Sequence, residues 1–130
     1  MKKLLIILTV FLLILSGCSA PDYSGSSPSY EQITMEEAME LMENQSDYII
    51  LDVRTHEEYN EGHIPGAICI PNETIGSQPP AQLPDKDQLI LVYCRSGNRS
   101  KQASAKLAEI GYTNIKEFGG IIDWTGEIEK

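Results

Sequence analysis

Short apolar runs separated by helix-start signals constrain this chain more than any other feature. Tyr48 to Val53 (YIILDV) and Gln88 to Tyr93 (QLILVY) have the length and apolar density of buried strands. Thr34-Met35-Glu36-Glu37 and Thr55-His56-Glu57-Glu58 each set a threonine three residues before a glutamate, the pattern in which the two satisfy each other's orphan amides at a helix start. The first predicts a helix to about Asn44, with Ile33 as a hydrophobic staple, and the second a short helix stopped by Gly62. Ala67 to Ile70 reads as another strand, bracketed by Pro65-Gly66 and Pro71. Residues 72–87, with Pro79-Pro80 and Pro84, read as an irregular loop. A helix is expected from about Arg99 to Ile110, with Ala103, Leu107 and Ile110 on one face and Gly111 as its stop. Asn114 to Phe118 is a last strand, followed by Gly119-Gly120 and a short helix containing Trp124. Strands alternating with helices predict an α/β architecture with a parallel sheet covered on both faces.

In open sheets of this kind the active crevice lies beyond the carboxyl ends of the strands. Cys94 follows the end of one strand, and Asp52, Val53 and Arg54 end another, so both segments point chemistry at the same edge. Cys94 heads the run Cys94-Arg95-Ser96-Gly97-Asn98-Arg99, directly before a helix. A thiol becomes a nucleophile only as its thiolate, and an unperturbed cysteine ionises near pH 8.5. A strand–loop–helix turn supplies what lowers that value, because its backbone amides and the helix N-terminus converge on one point. The helix contributes about one pKa unit, and Arg95 and Arg99 add full positive charges. Gly97 lets the loop curl, while Ser96, Asn98 and Ser100 can hydrogen-bond within it. A buried, inert cysteine fits such a polar loop poorly.

The first residues are a different kind of sequence. Lys2 and Lys3 precede an apolar run from Leu4 to Leu15 that is broken only by Thr9. A spanning helix needs roughly 20 apolar residues, so this run is short for a membrane anchor and suits a signal peptide. It ends in Leu15-Ser16-Gly17-Cys18, which resembles the lipobox of bacterial lipoproteins. The resemblance implies removal of residues 1–17 and lipid on Cys18; an ordinary secretory signal with an incidental cysteine is the alternative. Residues 18–29, rich in Ser, Pro and Gly, then form a flexible tether to a domain spanning 30–130. The expected location is the outer face of the cell membrane, held there by acyl chains in the bilayer. The formal charge is −9, falling to −11 once Lys2 and Lys3 are lost. With no basic cluster beyond the start, nucleic acid is not an expected partner.

Several motifs in order make the remainder recognisable. Leu51-Asp52-Val53-Arg54, Glu58-Tyr59, Gly62-His63-Ile64-Pro65-Gly66-Ala67, the Cys94 loop, and Gly119-Gly120 with Trp124 together resemble the rhodanese-like sulfurtransferase domain across residues 30 to 128. The resemblance implies a rhodanese-like fold, a parallel five-stranded sheet flanked by helices on both faces. It implies that Cys94 accepts a sulfane sulfur as a persulfide from a small sulfur-containing anion or persulfide donor and passes it to a thiol or cyanide-like acceptor. Backbone amides of Arg95, Ser96, Gly97, Asn98 and Arg99 would cradle that sulfur, with Ser100 in support. Asp52 and Arg54 would brace the loop; an Arg54–Glu58 ion pair is the plainer reading. Neither a cofactor nor a metal is expected, and a monomer is. Tyrosine phosphatases place five residues between cysteine and arginine, whereas four lie between Cys94 and Arg99, a smaller ring that suits sulfur better than phosphate or arsenate. Phosphatase or arsenate-reductase chemistry and a sulfur-binding sensory or protein-interaction module remain as alternatives.

The other polar residues read as structural. His63 is expected to hydrogen-bond the backbone in its turn, and His56 shares no metal spacing with it. Cys69 reads as a buried thiol, with a Cys69–Cys94 disulfide the alternative outside the cytoplasm.

Overall fold

The computed structural model describes residues 29–130. The expected signal peptide 1–17, Cys18 and the expected tether up to residue 28 lie outside the described residues. Eight regular elements follow in chain order: β1 (Glu31–Gln32), α1 (Met35–Asn44), β2 (Tyr48–Asp52), α2 (His56–Glu61), β3 (Ile68–Cys69), β4 (Leu89–Cys94), α3 (Asn98–Ile110) and β5 (Ile115–Gly120). Short 3₁₀ turns occupy Asn72–Thr74 and Ile121–Asp123. All strand pairings within the sheet are parallel, and the sheet order is β1-β5-β4-β2-β3. Both capping boxes form with reciprocal bonds, Thr34 with Glu37 and Thr55 with Glu58. Gly111 ends α3 in the left-handed region.

The central strand β4 is buried along its whole length, as a strand covered on both faces must be. Its side chains alternate between two cores. Ile90, Val92 and Cys94 face α3, where they join Ala103 and Leu107. Leu89, Leu91 and Tyr93 face the opposite side, with Ala38 of α1, Ile64 and Phe118. That parity fixes the site, because Cys94 comes out on the α3 face and its neighbour Tyr93 on the other.

Three features depart from the sequence reading. The edge strand β1 consists of two exposed polar residues, which carry no apolar pattern, and it is held by pairing Glu31 with Lys116 and Gln32 with Glu117. Residues 72–87 are irregular as expected, yet Ile75 and Leu83 from this loop are buried in the α3-side core, and Tyr112 Oη donates to Leu83 O at 2.6 Å. Gly119-Gly120 is strand rather than linker, and the turn after it ends at Asp123, so Trp124 caps it from outside. Val92 pairs with Glu117 and Cys94 with Gly120, so β5 carries one extra residue there, a bulge that bends it toward the cysteine loop.

Asp52 sits opposite Tyr93 in the register and therefore faces away from Cys94. Its carboxylate is fully buried and takes bonds from Arg54 Nε and Nη2, with Nη2 at 2.7 Å, and from Tyr93 Oη at 2.7 Å. Burial opposes the charge on Arg54, but its bonds to Asp52 more than restore it and hold the guanidinium above its usual range. Arg54 Nη2 also donates to Gly62 O at 2.7 Å, and Ile64 N donates to Tyr93 Oη at 3.1 Å. The network thus locks the Gly62–Ile64 turn onto the sheet. It braces that turn instead of the cysteine loop, because successive strand residues point to opposite faces. Glu58 is not Arg54's partner.

Replacing Tyr93 by Phe leaves Ile64 N without a partner in the interior and takes one donor from Asp52 Oδ2, which keeps Arg54 Nη2. We expect a loss of about 1–3 kcal/mol in unfolding free energy, read by urea denaturation at unchanged slope. A loss within a few tenths of a kcal/mol would mean that the network is ornamental.

Candidate active site

Cys94 is the last residue of β4, and the chain turns immediately into α3. Its N-cap, Gly97, adopts φ 104, a conformation costly to any residue with a Cβ, and no side chain caps the helix. The cysteine sulfur takes that place. Gly97 N donates to Cys94 Sγ at 3.0 Å, and the Ser100 hydroxyl lies 3.4 Å from it. Burial, with the residue 1% exposed, opposes ionisation of the thiol. The hydrogen bond with the Ser100 hydroxyl and those from the amides of Ser100, Gly97 and Ser96 outweigh it, and the pKa is lowered. Cys94 is therefore both buried and activated, two properties that sequence reasoning sets against each other.

The backbone of β5 closes the loop from below. A Cβ on Gly120 would lie 2.0 Å from Arg95 O, so no other residue fits at this crossing. Ile122 N donates to Arg95 O at 3.3 Å. Glu117, which had not been singled out in the sequence, is buried beneath the loop. Its Oε1 accepts from Ser100 Oγ at 2.6 Å and from Gly119 N at 2.9 Å. The available signal was parity, since Glu117 stands two residues from the core residue Ile115 on the same face of β5.

The two arginines of the loop divide. Arg99 places Nη1 and Nη2 on Glu58 at 2.8 and 3.0 Å, a two-pronged ion pair that ties α3 to α2. Glu58 also accepts from Thr55 N at 2.9 Å, so one carboxylate caps α2 and pins the loop. Arg95 is exposed and has no ion pair or hydrogen-bonded side chain among the described residues. Asn98 is exposed at the first turn of α3, and Ser96 contributes its amide. Asp52 and Arg54 are not part of this cluster.

Cys69 and Cys94 are both free thiols. Cys69 is half-buried, its Sγ 3.6 Å from Arg54 O, and burial followed by the Asp52 charge pushes its pKa up to about 11, which keeps it a thiol. His63 bonds through Nδ1 to Tyr59 O at 2.9 Å and stacks on the Tyr59 ring, the structural role its turn suggested.

Comparison with known proteins agrees with this geometry. The family model "Rhodanese-like domain" matches residues 34–127. Thiosulfate sulfurtransferase PspE of Escherichia coli is 40% identical over 73 residues, covering 56% of this chain and 70% of that protein. A sulfurtransferase of Allochromatium vinosum is 36% identical over 94 residues, covering 72% and 86%. A solved structure described as rhodanese with anions from E. coli superposes with TM-score 0.56 at 34% identity, covering 64% of this chain and 98% of that one. Some longer relatives match only in part, the chain spanning 22% to 29% of their length.

The Glu58–Arg99 pair makes a pH prediction. Arg99's hydrogen bonds hold the Glu58 carboxyl at about 2, against burial, with Thr55 N assisting. A carboxyl depressed in the folded state stabilises it fully above its unfolded value near 4.3 and loses that contribution as pH falls toward 2. Glu58→Gln should therefore flatten the stability-versus-pH curve between about 4.5 and 2, followed by urea unfolding at stepped pH. An unchanged acid limb would remove Glu58 from the account.

Proposed function

The chain belongs to the rhodanese-like domain family, and from that premise we propose that it is a sulfurtransferase that carries a sulfane sulfur as a persulfide on Cys94. The observation that supports this most is the sulfur-centred turn, in which amides of Ser96, Gly97 and Ser100 converge on one sulfur atom at the start of α3. A negative sulfur is what such a turn stabilises best.

In the first step the Cys94 thiolate attacks the outer sulfur of a donor such as thiosulfate. The donor's S–S bond breaks, sulfite leaves with its electron pair, and Cys94 carries the new S–S bond with its charge on the terminal sulfur. In the second step a thiolate or cyanide attacks that terminal sulfur, and Cys94 departs as the thiolate it began as. Both steps need an ionised Cys94 and neither needs a cofactor. The engagement of Arg99 by Glu58 weighs against phosphatase chemistry, since both terminal nitrogens that would grip a phosphate are already used. The burial of Cys94 gives one specific reason to keep a second reading, a module that loads sulfur without handing it on.

Incubation of the reduced protein with thiosulfate should add the mass of one sulfur atom, and cyanide should then remove it as thiocyanate. Cys94→Ser should abolish loading and cut turnover by at least about 10³-fold. Loading without catalytic thiocyanate release would select the second reading, and no sulfur gain on a reduced Cys94 would sink the first.

We propose further that the domain works outside the cell membrane, tethered through lipid on Cys18, on the strength of the apolar run ending in Leu15-Ser16-Gly17-Cys18. In a bacterial host the protein should partition with membranes and take up labelled fatty acid, and Cys18→Ala should release it from both. Equal labelling of the two forms would refute lipidation at Cys18.

A further inference from the structure

The mouth of the cysteine loop offers less positive charge than its two arginines suggest. Arg99 spends both terminal nitrogens on Glu58, at 2.8 and 3.0 Å. Both groups are ionised at neutral pH, with the Glu58 carboxyl held at about 2. Glu73, exposed on the 3₁₀ turn after β3, acts on Arg99 through its charge, as Cys94 does. Arg95 is exposed and has no ion pair among the described residues. The backbone that touches it, with Ile122 N on Arg95 O at 3.3 Å, continues into the exposed Asp123 and not into a cation. Lys101, the next cation along α3, stands two residues from Arg99 and therefore on another side of the helix. Two arginines thus meet two glutamates, in a chain of formal charge −9.

Donors of sulfane sulfur differ in the charge they bring to such a mouth. Thiosulfate is a dianion, so its encounter with the Cys94 thiolate gathers three negative charges. A hydropersulfide, R–S–SH, is neutral at its reacting end, or singly charged when ionised. The amides of Ser96, Gly97 and Ser100 already answer the charge on the Cys94 sulfur. For the donor's own charge the loop leaves Arg95, since Arg99 is matched by a carboxylate. One unpaired cation suits a donor with no more than one charge, and a second charge goes unmatched beside Glu58 and Glu73.

We propose that the preferred donor is an organic persulfide, and that Glu58 sets this preference by withholding Arg99 from dianions. The proposal rests on the transferase reading and names its substrate class. In the loading step the Cys94 thiolate attacks the outer sulfur of R–S–SH. The donor's S–S bond breaks, and the alkyl thiolate leaves with the electron pair and takes up the proton of the outer sulfur. Cys94 keeps that sulfur together with the negative charge. One negative charge is carried throughout, against three with thiosulfate. Glu58 touches Arg99 and not the donor, so it is a positioning residue that selects through Arg99.

The measurement is the second-order rate at which reduced Cys94 gains one sulfur, read by intact mass in single-turnover mixtures. Thiosulfate is one donor. Cysteine persulfide and a synthetic peptide with a persulfidated cysteine stand for the two sources of the persulfide group, and the faster of them identifies R. Glutamine at position 58 can keep the capping box with Thr55 while losing the charge. In Glu58→Gln, thiosulfate loading should rise about tenfold at low ionic strength, the lower end of what fixed charge in a cleft gives an oppositely charged substrate. Most of that gain should vanish at about 1 M salt. Loading by the persulfides should change by less than about twofold, because they carry little charge for the freed Arg99 to attract. Glu73→Gln should move thiosulfate in the same direction and leaves the α2 cap untouched, so the proposal stays testable if Glu58→Gln folds poorly. Equal changes with all donors would mark a structural effect and overturn the proposal. So would faster loading by thiosulfate than by either persulfide in the unaltered protein; with all donors loading, the transferase reading would still stand. No sulfur gain from any donor would sink both together.

Discussion

The arrangement around Cys94 depends on one substitution of roles: a sulfur atom occupies the place of a helix-capping oxygen. The first amides of any helix lack intrahelical partners, and an ordinary helix meets the shortage with a Ser, Thr, Asp or Asn side chain. Here the N-cap of α3 is Gly97, which offers no side chain, and Gly97 N turns to Cys94 Sγ at 3.0 Å. The helix needs an acceptor and a thiolate needs donors, so a single contact stabilises the turn and helps lower the pKa of Cys94. Gly97's left-handed backbone and the bare Gly120 under Arg95 O are the geometric conditions for it.

Alternation along β4 then separates two buried polar networks. Tyr93 carries the Asp52–Arg54 network on the face that holds the Gly62–Ile64 turn. Cys94 carries Ser100 and Glu117 on the face packed by α3. Adjacent residues thus carry two separate buried networks that share no hydrogen-bond partner.

At the mouth of the loop, Glu58 decides how much positive charge a visitor meets. By closing on Arg99 it fixes α2 against α3 and leaves Arg95 as the loop cation without an ion pair among the described residues. The loop presents amides pointing at the Cys94 sulfur more than a basic surface, in keeping with an acidic chain. This also explains why the count of four residues between Cys94 and Arg99 mattered: a short loop brings the amides within reach of a single sulfur.

Local signals in the sequence determined much of this. Capping boxes at Thr34 and Thr55, the apolar runs of β2 and β4, and the cysteine between a strand and a helix all depend on neighbours within a few residues, so they could be read directly. The parallel sheet followed from the strand–helix alternation, and its five strands from the family resemblance. The tertiary structure alone decided the pairings between distant segments. Arg54 joins Asp52 and not Glu58, Glu58 joins Arg99 from 41 residues away, and Glu117 reaches Ser100 from another strand. A two-residue edge strand of Glu31 and Gln32 has no pattern to detect, and Ile75 and Leu83 become core only because an irregular loop folds onto α3. The physical reason is the same throughout: a side chain's face follows from local periodicity, but its partner depends on register and close packing between segments that the sequence keeps far apart.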